Sequence, residues 1–405
     1  MKISKLYVNN FRSLVDFSVD EFDATTIFYG QNNAGKSNIL RILELIFERK
    51  VQSSDNEFTD AKNFYEGVIR GFSNNFFNND KSLEINFSVS VELLKSETKI
   101  KDVINKLFKK WPEVLKFSIE GKIINSLQEN DLAEIQTNAI KVNDVIIYEA
   151  RQNTISYFPT LQSKEGKNIG ELSIAFSHFI DPLNDCVYII GSNRETHPTQ
   201  FNNDLLASFT PADFKKSLYS LYLNETKHLD FEEISSIYNS EPFSFGSLSF
   251  SHHNGELEIM IKNDGIRLPI KHLGSGAEQI LFVIACIVYS KSRILGIEEL
   301  EQNLSPKLQS LALLKIQSMI GRNLDQIILS SHSSVFAKTR SSQAIYLIER
   351  KDLKTVVSER LNKKYGKKLK SHLIDTVLPL DTYTEEEYKR NFEEVSKIAE
   401  DRFKM

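Results

Sequence analysis

Residues 28–40 read FYGQNNAGKSNIL: a short apolar run, a loop with two glycines, a lysine and a serine, and then a helical pattern. Residues 30–37 match G-x-x-x-x-G-K-[ST] in full. Gly30 and Gly35 let the backbone turn so that its N–H groups point inward, where they can hold phosphate oxygens. Lys36 reaches the β and γ phosphates of a nucleotide, and the Ser37 hydroxyl can coordinate Mg2+. The helix that follows presents its positive end to the same anion. Both flanks fit this reading. TTIFYG is a β-rich run ending at a glycine, and Ile39, Ile42, Leu43, Ile46 and Phe47 fall on one helical stripe. Gly30, Gln31, Asn32, Asn33, Ala34, Gly35, Lys36, Ser37 and Asn38 are therefore the candidate residues for binding ATP.

A phosphate cradle needs a metal-binding carboxylate on a neighbouring strand. RILGIEEL (293–300) supplies one: Ile294, Leu295 and Ile297 mark a buried strand with Glu298 and Glu299 at its carboxyl end, where α/β sheets bind ligands. Glu298 is the candidate Mg2+ ligand beside Ser37, and Glu299 the candidate to polarise the attacking water. IILSSHSS (327–334) is another apolar strand ending in a polar cluster, and it puts His332 where it can donate to a γ-phosphate. A lone histidine is usually structural; this one gains meaning from following the other two motifs in order.

The bulk numbers bound these readings. With 405 residues the chain can hold one large or two medium domains. A net charge of −4 exerts no global pull on nucleic acid, though a local basic patch remains compatible with it. Cys186 and Cys286 lie in apolar runs and read as buried small hydrophobes without a disulfide framework, which fits a reducing cytosol. The N-terminus lacks the apolar core of a secretory signal, and the longest apolar stretch, residues 280–289, is too short to span a bilayer. The expectation is a soluble, cytoplasmic protein with no membrane partner.

Along the chain, DFSVDEF (16–22), KSLEINFSVSVEL (81–93) and LKFSIEGKII (115–124) alternate as strands, and residues 100–110 look helical. DCVYIIGSNRE (185–195) reads as a buried strand entering a polar loop. GSLSFSHHNGELEIMI (246–261) reads as a hairpin turning at Asn254-Gly255, with His252 and His253 near its tip facing solvent. LGSGAEQILFVIACIVY (273–289) is a glycine turn opening a buried helix. Strands alternating with helices predict an α/β core with a mostly parallel sheet and flanking helices. The expected organisation is residues 1–95 and 185–350 as two parts of one ATPase head. An inserted α/β lobe takes 96–184, a helical insertion falls within 205–240, and a helical tail takes 351–405, with lysines at 363, 364, 367, 368 and 370.

NFRSL after the first strand, GQNNAGKSN, LGSGAEQ, IEELEQNLSP and SSHS together resemble the ABC-type ATPase heads of the OLD (overcoming lysogenization defect) family, relatives of the SMC and RecF heads. The motifs cover residues 1–50, 185–200 and 245–350. In such heads a signature loop completes the phosphate site of a second copy. The resemblance therefore implies that Gly274, Ser275, Gly276 and Glu278 contact nucleotide across a homodimer or higher homo-oligomer. It further implies that Arg12 supports the nucleotide loop, that Glu299 is the catalytic base and that His332 is the switch. Residues 300–306 become a dimer-facing loop, and Arg194 matches a recurring arginine. There are departures: Gly274 stands where transporter cassettes carry the signature serine, and Leu300 and Ser305 replace a common proline and histidine. No metal-contacting glutamine is identifiable between cradle and signature.

The resemblance leaves three uses open. A transporter motor would be shorter between cradle and signature. A RecF- or SMC-like repair ATPase would show sustained heptads or a basic DNA-gripping face. OLD proteins carry a C-terminal TOPRIM nuclease, for which the roughly fifty residues after the last core strand leave no room at ordinary domain sizes. The expectation is an ATPase that senses a trigger, DNA or a phage protein, and controls a separate nuclease or toxin. That arrangement is similar to the ATPase subunits of two-protein anti-phage systems of the PARIS type.

Overall fold

Two sheets face each other across a buried helix in a computed structural model, which describes residues 1–47, 66–70, 77–78, 84–94, 114–125, 132–142, 145–149, 183, 186–192, 194, 213–253, 256–263, 265–337 and 344–361. The chain opens with β1 (Lys2–Asn9), β2 (Phe17–Val19), β3 (Thr25–Tyr29) and helix α1 (Lys36–Phe47). Strands β4 (Glu66–Arg70), β5 (Glu84–Leu94), β6 (Val114–Asn125), β7 (Leu132–Val142), β8 (Val145–Glu149) and β9 (Val187–Ile190) follow. Next come helices α2 (Phe214–Leu223) and α3 (His228–Asn239), then β10 (Ser247–His253), β11 (Glu256–Asn263) and β12 (Ile266–Pro269). The last elements are α4 (Ser275–Ser290), β13 (Ile294–Glu298), α5 (Pro306–Ser318), β14 (Gln326–Ser331), the short α6 (Ser334–Ala337), β15 (Ala344–Lys351) and β16 (Lys354–Leu361).

The central sheet has the order β16-β15-β3-β14-β13-β9. All its pairs are parallel except β15 with β16. Every residue of β3 and β14 is buried, as a parallel strand covered on both faces requires. β3, β14 and β13 are neighbours, so the loop after β3, Glu298 and His332 come to one edge of the sheet.

The second sheet, β2-β1-β5-β6-β7-β4 with β8 on β7, is antiparallel throughout. Its buried positions alternate: Leu6 and Val8, then Phe87, Val89 and Val91, then Phe117 and Ile119, the pattern of a sheet with one face inward. α1 lies between the two sheets and is apolar nearly all round, with Ile39, Leu40, Ile42, Leu43, Leu45, Ile46 and Phe47 buried. Each such side chain contributes roughly 1.5–3 kcal/mol by leaving water. The stretch expected as an inserted lobe, 96–184, supplies β6, β7 and β8 to this same sheet, and the inner residues of β6 and β7 share one core with α1. The helix expected at 100–110, the Asn254-Gly255 turn and the lysines at 363–370 lie outside the described residues.

The other face of the central sheet carries α4, whose residues from Ile280 to Val288 are all buried, as expected of a core helix. α2, α3 and the antiparallel β10-β11-β12 sheet join its core through Phe214, Leu218, Ile234, Tyr238, Ile259 and Ile261. Residues 354–361, expected to begin a helical tail, form β16 instead. There the buried Thr355 and its polar neighbours fit the edge of a sheet better than a helical stripe.

The two sheets are joined by a side chain that imitates a strand. Gln326, at the start of β14, is fully buried; its Oε1 accepts from the Ile3 N–H at 2.8 Å, and its Nε2 donates to the Ile3 carbonyl at 2.8 Å and the Asp23 carbonyl at 3.1 Å. Beside it, Asp325 binds the Met1 ammonium at 2.5 Å and Arg293 Nε at 2.7 Å. Gln326→Leu leaves the Ile3 groups buried without partners, and each such group costs about 1–3 kcal/mol. The stability read from urea unfolding is expected to fall by that order, through a lower midpoint at an unchanged slope; an unchanged midpoint would show that the joint does not depend on the amide.

Candidate functional site

The loop between β3 and α1 is shaped by contacts that only glycine permits. A side chain at Gly30 would strike the carbonyl oxygen of Ile348 on β15, and one at Gly35 would strike the hydroxyls of Thr355 and Ser13. Gly35 also has φ +95°, in the region L side chains avoid, and Asn33 takes φ 64°. The Gly30 N–H donates to the Ser331 carbonyl at 3.2 Å, tying the loop to the end of β14. Lys36 is 6% exposed, and its Nζ donates to the carbonyls of Gly30 at 2.9 Å and Gln31 at 2.7 Å. Burial pushes its pKa down, against the pull of Glu299 and Glu301. An ammonium held this way, in the first turn of a helix, meets a polyanion without shedding much water.

A directed chain of hydrogen bonds braces the loop from outside. Arg12 Nη1 donates to Asn38 Oδ1 at 3.0 Å, and Asn38 Nδ2 donates to Ser13 Oγ at 2.8 Å. Ser13 and Thr355 hydroxyls stand 2.6 Å apart, and Thr355 Oγ1 donates to the Ala34 carbonyl at 2.9 Å. The Thr355 proton is committed to Ala34, so the Ser13 proton points to Thr355 and the whole chain runs one way. Arg350 adds a bond to Asn33 Oδ1 at 3.0 Å. Arg12 thus acts on the loop through Asn38. It sits on a segment with left-handed backbone at Asn10, Arg12 and Asp16, strain of the kind found beside functional sites. Ser13, within NFRSL, is given no role by the resemblance, and Arg350 and Thr355 are additions that no local pattern marks, because they meet the loop only after the chain has folded.

The structure brings Glu298 and Ser37 together. The Glu298 carboxyl accepts from the Ser37 hydroxyl and the Ser192 N–H. Burial raises its pKa, reinforced by Glu299 and opposed by those bonds and by Arg194. Two hard oxygens side by side suit Mg2+, which ordinarily takes one or two protein oxygens and completes its shell with phosphate and water. Glu299 follows with φ 47°, its N–H donating to the Ser330 carbonyl at 2.8 Å and its Oε2 accepting from Gln302 Nε2 at 2.7 Å. His332 Nδ1 lies 4.0 Å from Glu299 Oε1 and 3.2 Å from Glu301 Oε1. Arg194 is buried beneath this edge and donates from Nη2 to the carbonyls of Glu298 at 2.8 Å and Glu299 at 2.6 Å. It fixes the backbone of both carboxylates, a more specific place than a polar loop.

Residues 300–306 divide in two. Leu300, Glu301 and Leu304 are buried, while Asn303, Ser305 and Pro306 are exposed; Ser305 caps α5, accepting from the Leu308 N–H at 3.4 Å. The expected outward-facing loop therefore shows only Asn303, Ser305 and Pro306 fully to the outside. Gly274 and Ser275 are exposed at the start of α4, with Gly274 at φ 92°. Gly276 is buried against Asn303 and Leu304, and Glu278 lies in the first turn of α4. Among the described residues, neither Gly274 nor Ser275 has a hydrogen bond or ion pair to Lys36, Ser37, Glu298, Glu299 or His332.

A family profile described as an AAA ATPase domain matches residues 1–337. A protein of Helicobacter pylori described as an ATP/GTP phosphatase is 22% identical over 351 residues, covering 82% of this chain and 86% of that protein. Among solved structures, an SMC head bound to the C-winged helix domain of ScpA aligns with 91% of this chain and all of that one, at 15% identity and TM-score 0.47. The SMC head domain from Thermotoga maritima aligns with 89% of this chain and all of that one, at 12% identity and TM-score 0.43.

Thr355→Val keeps the shape of the side chain but removes the donor to Ala34. It is expected to weaken binding of a fluorescent ATP analogue about tenfold, equivalent to ~1.4 kcal/mol. Wild-type affinity in a titration of the folded variant would remove Thr355 from the brace.

Proposed function

This chain belongs to the AAA ATPase domain family and is an ATP-binding and ATP-hydrolysing protein, and on that premise we propose that two copies close around ATP. The Lys36 cradle of one copy faces the Gly274–Ser275 turn of the other. The observation that carries this reading is that the exposed glycine-serine turn opening the long buried helix α4 makes no hydrogen bond or ion pair to the cradle among the described residues. A desolvated ammonium, paired oxygens and the Glu299 carboxylate meanwhile gather at one sheet edge. That turn offers N–H groups and the positive helix end to an anion.

Within one site, Lys36 holds the β and γ phosphates, the loop N–H groups from Gly30 to Ser37 surround them, and Ser37 with Glu298 holds Mg2+. The metal, when bound, neutralises phosphate charge and orients the leaving group. Glu299, its backbone anchored by Arg194 and Ser330, takes the proton of the attacking water. His332 is oriented toward the γ-phosphate, and Arg12 keeps the loop in register through Asn38. Such a site works as a slow clamp as much as a motor. We read the chain as a sensor or scaffold that controls a separate nuclease or toxin in anti-phage defence. That role draws its support from the motif resemblance to OLD-type heads.

Glu299→Gln keeps the shape of the base without its basicity. Its turnover is expected to fall about 100–10,000-fold, with ATP still bound and the mass measured by light scattering doubling in its presence. Unchanged turnover would reject Glu299 as the base, and a monomer at saturating ATP would reject the paired heads. Lys36→Ala is expected to abolish nucleotide binding in the same titration. For the physiological role, phage plating on cells carrying the native locus should rise to the undefended level with Lys36→Ala; equal protection by both alleles would exclude it.

A further inference from the structure

Glu301 lies outside the functions assigned above, yet its environment is unusual. Its side chain is 5% exposed, and one oxygen, Oε1, accepts two hydrogen bonds and faces a third group of the same turn. It accepts from Ser331 Oγ at 2.7 Å and from the His332 N–H at 2.8 Å, and it lies 3.2 Å from His332 Nδ1. The second oxygen, Oε2, is buried with no partner, and so are Nε and Nη1 of Arg194. Attraction from Glu301 is the largest contribution that keeps the buried Arg194 charged. Burying a carboxylate costs several kcal/mol, and an apolar side chain of similar volume often does as well for stability. A carboxylate concentrated on one histidine turn therefore points to a task beyond holding the loop.

We infer that Glu301 is a positioning residue for His332: it accepts a hydrogen bond from Nδ1–H, so that with both ring nitrogens protonated Nε2–H points toward the nucleotide. The inference rests on the ATPase reading of His332 given above. The hydrogen bond made at one imidazole nitrogen sets the orientation of the ring and the direction in which the other nitrogen points. Glu301 is the nearest carboxylate to Nδ1, closer than Glu299 at 4.0 Å. The ring does not yet align with Oε1 as a formed hydrogen bond, since Nδ1 counts among the buried atoms without a partner. Contacts of this kind tighten when the reacting complex forms. The remaining bonds of the turn make it stiff: Ser333 N–H donates to Ser331 Oγ at 2.9 Å, and Ser333 Oγ donates to Gln309 Oε1 at 2.6 Å. The imidazole is thus the part free to respond.

The test is nitrogen NMR of the full chain labelled at histidine, with the His332 signals identified by their loss in His332→Gln. In the wild-type protein with a non-hydrolysable ATP analogue, a proton on Nδ1 is expected; a proton on Nε2 alone overturns the inference without need of any other variant. Glu301→Met, which fills the space but accepts nothing, is expected to lose the Nδ1 proton and to lower kcat about 10–100-fold. Glu301→Gln, whose carbonyl can still accept, is expected to restore both. A loss of kcat with unaltered nitrogen signals would mean a structural role only and overturn the inference. Absence of ATP turnover in the wild type would instead overturn the proposed function, since the nitrogen spectrum is read without turnover.

Discussion

The ammonium of Lys36 is taken out of water and held by two backbone carbonyls, and that single burial sets the terms for everything around it. A desolvated cation needs carbonyl oxygens at short range, so the loop must fold tightly enough to bring Gly30 and Gln31 over the start of α1. Such a loop needs a rigid strand beneath it, which β3 provides from the middle of the central sheet. It also needs a wall close enough to exclude side chains at Gly30 and Gly35, which β15 and β16 provide. The carboxylates of Glu299 and Glu301 then stabilise the charge from the adjoining strand ends. Sheet order, glycine positions and acidic residues all follow from one desolvated charge.

Much of this was legible because it is local. The loop, the strand ending in Glu298 and Glu299 and the strand ending at His332 each carry their signal within about ten residues, and strand or helix periods on either side place them at one edge. The alternation in β5, β6, β10 and β11 was equally readable. The brace was not. Thr355 lies 321 residues from Ala34 in sequence, and a threonine in a charged stretch carries no mark of a partner so distant. β16 was misread as helical for the same reason: its Thr355 gains meaning only once β15 is beside it. Arg194 was singled out, yet nothing in GSNRE tells that the side chain dives under the backbone carbonyls of Glu298 and Glu299. Glu301 hid within a motif whose resemblance suggested an outward-facing loop.

α1 joins the two halves of the molecule in energy as well as in space. One end of the helix begins the phosphate loop, and its apolar sides fill the gap between the sheets. A shift of the loop is therefore felt by both sheets, and the packing of both sheets limits how far the loop can move, because a filled core transmits strain instead of absorbing it.

The wall of the loop also bears on how the molecule is divided. The homology match ends at residue 337, but the carbonyl of Ile348, the guanidinium of Arg350 and the hydroxyl of Thr355 all lie past it and all touch the loop. A fragment trimmed to the matched span would keep every recognisable motif and still have an open-sided cradle. The cradle needs more of the chain than the region by which its kinship is detected, and the missing wall is a hairpin with no signature of its own.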